Sequence, residues 1–309
     1  MTWLIWQQHK RQAALIGIVL TLFAVAVVVT GIHMTTMYHD AVRACGQNAT
    51  CTSLDNIFHG YGAIVDTVHM TIALPVLLGA LAATFVAGEV ERGTHMLAWT
   101  QAITRTRWST AKIATAAAGA VAIGAAVSAL VTWWSNSPNA LYGNRFEGAQ
   151  FDTQNLVPIA FCLFAVALGL ALSSLIRRTL PAIAATVGIF AAVRILVSVY
   201  LRPHYMGTVA VTGPIAGDTH VPSGSWTVSQ HFSDAAGHAT FLKGPNSCTA
   251  LSTKEAAFQC LTRSGYRSVT VIHPASQYWH YQIVESILYT VPAALLFVIA
   301  YFAITRHDA

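Results

Sequence analysis

The chain has 309 residues, 55% of them hydrophobic and 9% charged, with a formal charge of +5. That balance excludes an ordinary soluble globule and leaves an integral membrane protein. The positive charge does not argue for nucleic acid. Lys10, Arg11, Arg92, Arg105, Arg107, Lys112, Arg177, Arg178 and Arg306, more than half of the seventeen basic residues, flank apolar stretches, and no basic stripe with interleaved aromatics occurs.

A helix needs about 20 apolar residues to cross a hydrocarbon core. Six stretches qualify: residues 13–32, 67–88, 113–134, 156–176, 180–201 and 286–305. They lack the alternation of barrel strands, and helices satisfy their own backbone polar groups, so the expected fold is all-α with six transmembrane helices. Ahead of the first span, "MTWLIWQQHKRQ" reads as a short interfacial helix with Trp3 and Trp6 at headgroup depth. The span itself is too long for a signal-peptide core and no small-x-small cleavage site follows it, so it is expected to be retained.

Placing the flanking basic residues in the cytoplasm puts both termini inside. Residues 33–66 then form a first outer loop, holding "HMTTMYHD" and the "CGQNATC" segment. His33, Met34, Met37 and His39 offer soft ligands that suit Cu(I), but interfacial Met and His need no metal to explain them, and no metal site is expected. Asp66 and His69 stand at the outer start of the second span. Residues 135–155 form a short polar outer loop rich in Asn and Gly.

Arg194 is the full charge inside a span. It lies about 20 Å from the inner end at 1.5 Å per residue, toward the outer leaflet. Leaving it in lipid costs on the order of 3 kcal/mol, which argues for a partner or for snorkelling. Glu285, at the outer start of the last span, lies at a compatible depth, and an Arg194–Glu285 pair is the expectation, with Asp66 and His69 as further candidates. Such a pair either fixes helix packing or marks a polar point on a transport path.

Residues 202–281 are the one soluble-looking piece of size and are expected to form a small α+β extracytoplasmic insertion between helices 5 and 6. Within it, "GSWTVSQHF" and "YRSVTVIHP" read as strands, and "STKEAAFQCLTRSG" reads as a helix capped by Ser or Thr and ended by Gly. "QYWHYQ" then re-enters through an aromatic belt. Cys45, Cys51, Cys248 and Cys260 all fall in segments assigned outside, where disulfides persist, whereas Cys162 sits mid-span. The four outer cysteines allow three connectivities, and neither pair has the CxxC spacing of a zinc site.

The densest polarity lies on the cytoplasmic loop between spans two and three, "GEVERGTHMLAWTQAITRTRW", residues 88–108. Thr94 can cap a short helix that places Met96, Trp99 and Ile103 on one face, with Arg105, Arg107 and Lys112 near the return to the membrane. Such a helix suits a lipid surface or a groove on a soluble partner equally well. Glu89 and Arg92, three apart, can pair on the helix end.

"EVERGTHMLAWTQAITRTRW" resembles the corresponding loop of ABC-2 type permease subunits, where the end of the second span runs into "E-x-G-T" and a coupling helix. "LAWTQ" followed by "R-x-RW", together with "HPASQYWHYQIVES" entering the last span, is similar to an actinobacterial group of these permeases. The resemblance implies one transmembrane domain over residues 1–309, working as a homodimer with two copies of an ABC ATPase in an exporter of a hydrophobic or amphipathic compound. It further implies that Glu89, Glu91, Arg92, Gly93 and Thr94, with the helix that follows, couple to that ATPase. The chain has no G-x-x-x-x-G-K-[ST] loop, so no cofactor is expected in it, and ATP and Mg belong to the partner. A membrane sensor with a ligand-binding outer cap is the competing class. A membrane-embedded enzyme is another, but neither HExxH nor GxSxG is present.

Overall fold

The computed structural model describes residues 2–45, 68–91, 104–136, 145–146, 148–215, 221–234, 237–240, 248 and 253–306. In chain order these hold α1 (Thr2–Cys45), a 3-10 turn (Met70–Ala73) leading into α2 (Leu74–Glu91), α3 (Arg105–Trp134), α4 (Gly148–Thr153), α5 (Val157–Ile176) and α6 (Thr179–Leu196). A π turn (Val197–Leu201) and a 3-10 turn (Arg202–His204) follow, then β1 (Val209–Pro214), β2 (Trp226–Ser233), β3 (Ala239–Thr240), α7 (Lys254–Arg263), β4 (Arg267–His273), a 3-10 turn (Ala275–Gln277) and α8 (Tyr278–Arg306). Among the described residues, six helical segments are long and apolar enough to cross a membrane: Gly17–Asp40, Met70–Gly88, Thr106–Trp134, Val157–Ile176, Thr179–His204 and Ala275–Arg306. The chain divides into two compact units, one of residues 1–141, 148–198 and 282–309, the other of residues 142–147 and 199–281.

The first helix differs from the expectation of a short interfacial helix, a span ending at residue 32 and an outer loop. It is continuous through "HMTTMYHD" to Cys45. The threonines explain why polar residues do not end it: Thr30, Thr35 and Thr36 donate their hydroxyls to Ala26 O, Gly31 O and Ile32 O at 2.7–2.9 Å. Each polar side chain is thereby satisfied by the carbonyl one turn back. Met34 packs into an apolar cluster with Val27, Val131 and Trp134. In α2, the change from 3-10 to α geometry falls beside Pro75, which has no N–H to give to the preceding turn.

In the larger unit α5 is the central element, with most of its residues buried and with α2, α3 and α6 packed against it. The α2–α5 contact is a backbone-close crossing of small residues, Gly79 and Ala83 on one helix against Ala165 and Gly169 on the other. Between apolar helices in lipid there is little hydrophobic drive, so close van der Waals packing of this kind supplies the association. α1 meets α3 where Gly31 faces Trp133 and Trp134, and the Trp134 indole N–H donates to Thr30 Oγ1 at 3.2 Å. α1, α6 and α8 carry exposed rows such as Val19, Leu22 and Val29, Leu180, Ile195 and Leu196, and Ile287, Leu295 and Val298. Such faces suit a hydrocarbon solvent.

The smaller unit is built on an antiparallel sheet of order β1-β4-β2-β3. Val209 faces Ile272, Thr212 faces Val269, and a bulge separates Thr227 from Ser229 where β2 runs against β4. Both strands read from the sequence are present as β2 and β4, while β1 and β3 are additions. Thr253 Oγ1 caps α7 by accepting from the Ala256 N–H, and Gly265, at φ +88°, ends it in the left-handed turn that glycine tolerates. Cys248 and Cys260 form a disulfide beside Ile215, Leu261, Phe232 and Phe258. Such a small apolar cluster leans on its cross-link. The double substitution Cys248→Ser and Cys260→Ser is therefore expected to lower the stability of this unit by about 3 kcal/mol, read as faster amide exchange along β2 and β4. Exchange equal to wild type would show that the sheet stands without the bridge. A second cluster gathers Phe146, Trp226, His273, Tyr278 and Tyr281, with neighbouring ring centroids 5.2–6.2 Å apart.

Candidate functional site

Two places in the larger unit combine polar side chains with tight geometry. The first is the root of the segment between α2 and α3. Glu91 is the last residue of α2, and its carboxylate accepts two hydrogen bonds from Thr179: the backbone N–H at 2.9 Å and the hydroxyl at 2.5 Å. Thr179 opens α6, whose N-cap residue Arg178 makes no side-chain cap bond. Glu91 therefore caps α6 from another helix and sets a negative charge at the positive end of that helix dipole.

On the other side of the root, Thr104 Oγ1 accepts from the Arg107 N–H and starts α3. Two turns on, Lys112 is 5% exposed, donates from Nζ to Phe85 O at 3.1 Å and lies 4.4 Å from the Trp108 ring centroid. A carbonyl dipole and an aromatic face thus hold its ammonium against α2. Arg107 is exposed. Glu89 and Arg105 belong to α2 and α3, but their side chains are outside the described residues. Arg92, Gly93, Thr94, Met96, Trp99 and Ile103 lie wholly outside them. The same holds for Asp66, for Cys51 and for the side chain of Cys45.

The second place is buried among α4, α5, α6 and α8. Arg194 donates from Nη1 to Glu285 Oε1 at 3.3 Å and from Nη2 to Asp152 Oδ2, and its guanidinium carbon lies 4.4 Å from the Phe161 ring centroid. Asp152 is 5% exposed and Glu285 is 0% exposed. Two carboxylates and one aromatic face thus surround one guanidinium. The structure brings Arg194 and Glu285 together and adds Asp152, from the segment expected to be a polar outer loop. Residues 148–153 of that loop fold as α4, with Gln150, Phe151, Asp152 and Thr153 all buried. The available signal was proximity: Asp152 precedes the fourth span by only a few residues, so it lies at a depth a charged partner in the fifth span can reach. His69 is half-buried in the turn before α2.

Neighbouring polar side chains hold this region in one arrangement. Gln282 Oε1 accepts the Leu156 and Val157 N–H groups, each at 3.1 Å, and its Nε2 donates to Phe151 O at 3.2 Å. The α4–α5 turn passes through Asn155 at φ +61°. There Ser128 donates to Asn155 O at 2.5 Å, and the Asn155 N–H donates to Thr132 Oγ1 at 3.0 Å. Along α8, Gln282, Glu285 and Tyr289 share a face, and Tyr289 stands edge-on to Phe161 at 4.6 Å and Phe164 at 5.4 Å. Buried polar groups in an apolar bundle persist where they are mutually satisfied. Among the described residues no group of three or more His, Cys, Asp or Glu is placed to hold a metal ion.

A family model described as ABC-2 membrane transporter related matches residues 17–202, which run from within α1 through the turns after α6 and include the segment between α2 and α3. No curated protein and no solved structure matches the chain.

Proposed function

Because the chain belongs to the ABC-2 membrane transporter related family, we propose that it is the permease subunit of an ATP-driven exporter for a hydrophobic or amphipathic compound. Family membership makes it a multi-pass membrane transport component that is not itself catalytic. In the proposed assembly two copies of the chain pair in a bacterial inner membrane with two copies of an ATPase that binds ATP and Mg. Residues 89–112 face the cytoplasm and receive the ATPase, with Glu89, Arg92, Gly93 and Thr94 at the contact, Met96, Trp99 and Ile103 forming the docking face, and Arg105 and Arg107 its basic rim. The observation that carries this reading is the family match across residues 17–202, because it includes that segment together with the first five spans.

Two further features support the orientation. Basic residues cluster at the ends of spans assigned to the inside. The Cys248–Cys260 bridge suits a unit exposed to an oxidising space. The Arg194 cluster then lies in the outer half of the bundle.

Affinity purification of the tagged chain from its native membrane in mild detergent tests the reading. An ATPase subunit is expected to co-purify, with ATP hydrolysis in the eluate. Recovery of the intact chain with no ATPase would remove the proposal. In parallel, an impermeant thiol reagent is expected to label Ser223→Cys in sealed cells and Leu97→Cys only after permeabilisation. The reverse pattern would invert the topology.

A further inference from the structure

We infer that Glu91 works as a positioning residue on α6, so that the loop end of α2 holds and moves the helix that carries Arg194. This rests on the permease reading above and changes what Glu91 does within it: the carboxylate acts on Thr179 of its own chain, not on the ATPase. The geometry is specific. Both donors of Thr179, N and Oγ1, bond the one carboxylate, at 2.9 and 2.5 Å. Arg178 supplies no cap, and Arg177 is already committed to a left-handed turn at φ +58°, where its N–H closes α5 on Ser173 O at 3.1 Å. The start of α6 therefore takes its cap from Glu91, beside a two-residue link to α5, while Ala182 and Thr186 bury its inner face in the bundle.

The other end of the contact is equally placed. Glu91 is the final residue of α2, so displacement of the segment that follows is felt there first. Two contacts oppose sliding of α2 on its neighbours. Gly79 lies against α5 at backbone distance, and the Phe85 carbonyl is held by Lys112 of α3. From Thr179, α6 is continuous to Leu196, and Arg194 stands about 22 Å along it at 1.5 Å per residue. There it grips α4 through Asp152 and α8 through Glu285. A shift in the cap is delivered as a shift of a rigid helix with discrete contacts at both ends, which is the kind of element that transmits coupling.

The test uses the full chain with its co-purifying ATPase in lipid nanodiscs and follows hydrogen exchange with and without ATP plus vanadate. In the wild type, vanadate trapping is expected to change exchange at residues 179–186 and 148–153. Glu91→Ala removes the cap and is expected to shrink that change about fivefold, whereas Glu91→Gln, which still accepts the Thr179 N–H, retains most of it. Thr179→Val is expected to fall between them, and combining it with Glu91→Ala should add nothing, since both act through one contact. A Thr179→Val response equal to wild type, additive single effects, or no vanadate response in wild-type α6 would each overturn the inference. Should Glu91→Ala fail to fold, Thr179→Val alone decides. Absence of a co-purifying ATPase would instead remove the permease reading itself, which separates the two failures.

Discussion

Arg194→Leu is expected to destabilise the bundle by about 3–5 kcal/mol, because it leaves two carboxylates buried without their guanidinium. Arg194 is the residue on which Asp152 of α4 and Glu285 of α8 converge, and its guanidinium also covers the Phe161 ring. Leucine fills part of the volume but returns none of these contacts. The effect is to be read as the thermal midpoint of the detergent-solubilised chain, followed by size-exclusion recovery after heating. Charge, not volume, is the expected cause, and this gives an internal control. Adding Asp152→Asn and Glu285→Gln to Arg194→Leu should recover much of the loss, since well-packed neutral groups replace a buried ion cluster at little cost. Asp152→Asn alone should cost about 1 kcal/mol, as Arg194 keeps Glu285 and the amide oxygen still accepts. If the triple variant proved less stable than Arg194→Leu, the cluster would owe its stability to shape and hydrogen-bond direction instead of charge compensation.

The six spans were legible because a helix in hydrocarbon leaves a one-dimensional signature: length and the absence of charge, both of which survive without knowledge of any neighbour. Arg194 was legible for the same reason, as the exception in such a run. Its pairing with Glu285 could be guessed from depth along two helices, but Asp152 could not. The loop that carries it is polar and short, and only burial against Arg194 and the Gln282 amide turns it into α4. "HMTTMYHD" misled in the opposite direction, since back-bonded threonines let polar residues continue a helix that composition alone would end. In the smaller unit, β2 and β4 showed as runs of β-branched and aromatic residues. β1 depends on pairing between Val209 and Ile272, far apart in the chain. The loop patch stood out by its charge density, yet nothing in its periodicity points to Thr179, 88 positions beyond Glu91. That contact exists only once α5 and α6 have brought the two helix ends together.

The α2–α5 crossing was also hidden, because Gly and Ala are so common in these spans that four of them at matched spacing do not stand out. It carries the other large expected effect. A Cβ at Gly169 would run into the Gly79 carbonyl oxygen and lie 3.0 Å from Ala83 N, and a Cβ at Gly79 would lie 2.8 Å from Ala165 O. These are backbone atoms inside two hydrogen-bonded helices, so no side-chain rotation relieves the clash. Either the helices separate along the whole crossing or α5 rotates and carries its buried face out of register. Gly169→Ala is therefore expected to cost about 3 kcal/mol, the upper end of ordinary overpacking, and Gly169→Leu more, to the point of lost expression. Gly124, where an added Cβ would meet Ile159 Cα at 3.2 Å and the Cys162 side chain at 3.3 Å, is the graded comparison. Part of that contact is side chain, so Gly124→Ala should cost about 1 kcal/mol. The ranking is to be read from thermal midpoints in one detergent. Equal midpoints for Gly169→Ala and wild type would mean that the two backbones do not approach as closely as described. The α2–α5 contact would then no longer be the fixed bearing against which the loop end of α2 acts on α6.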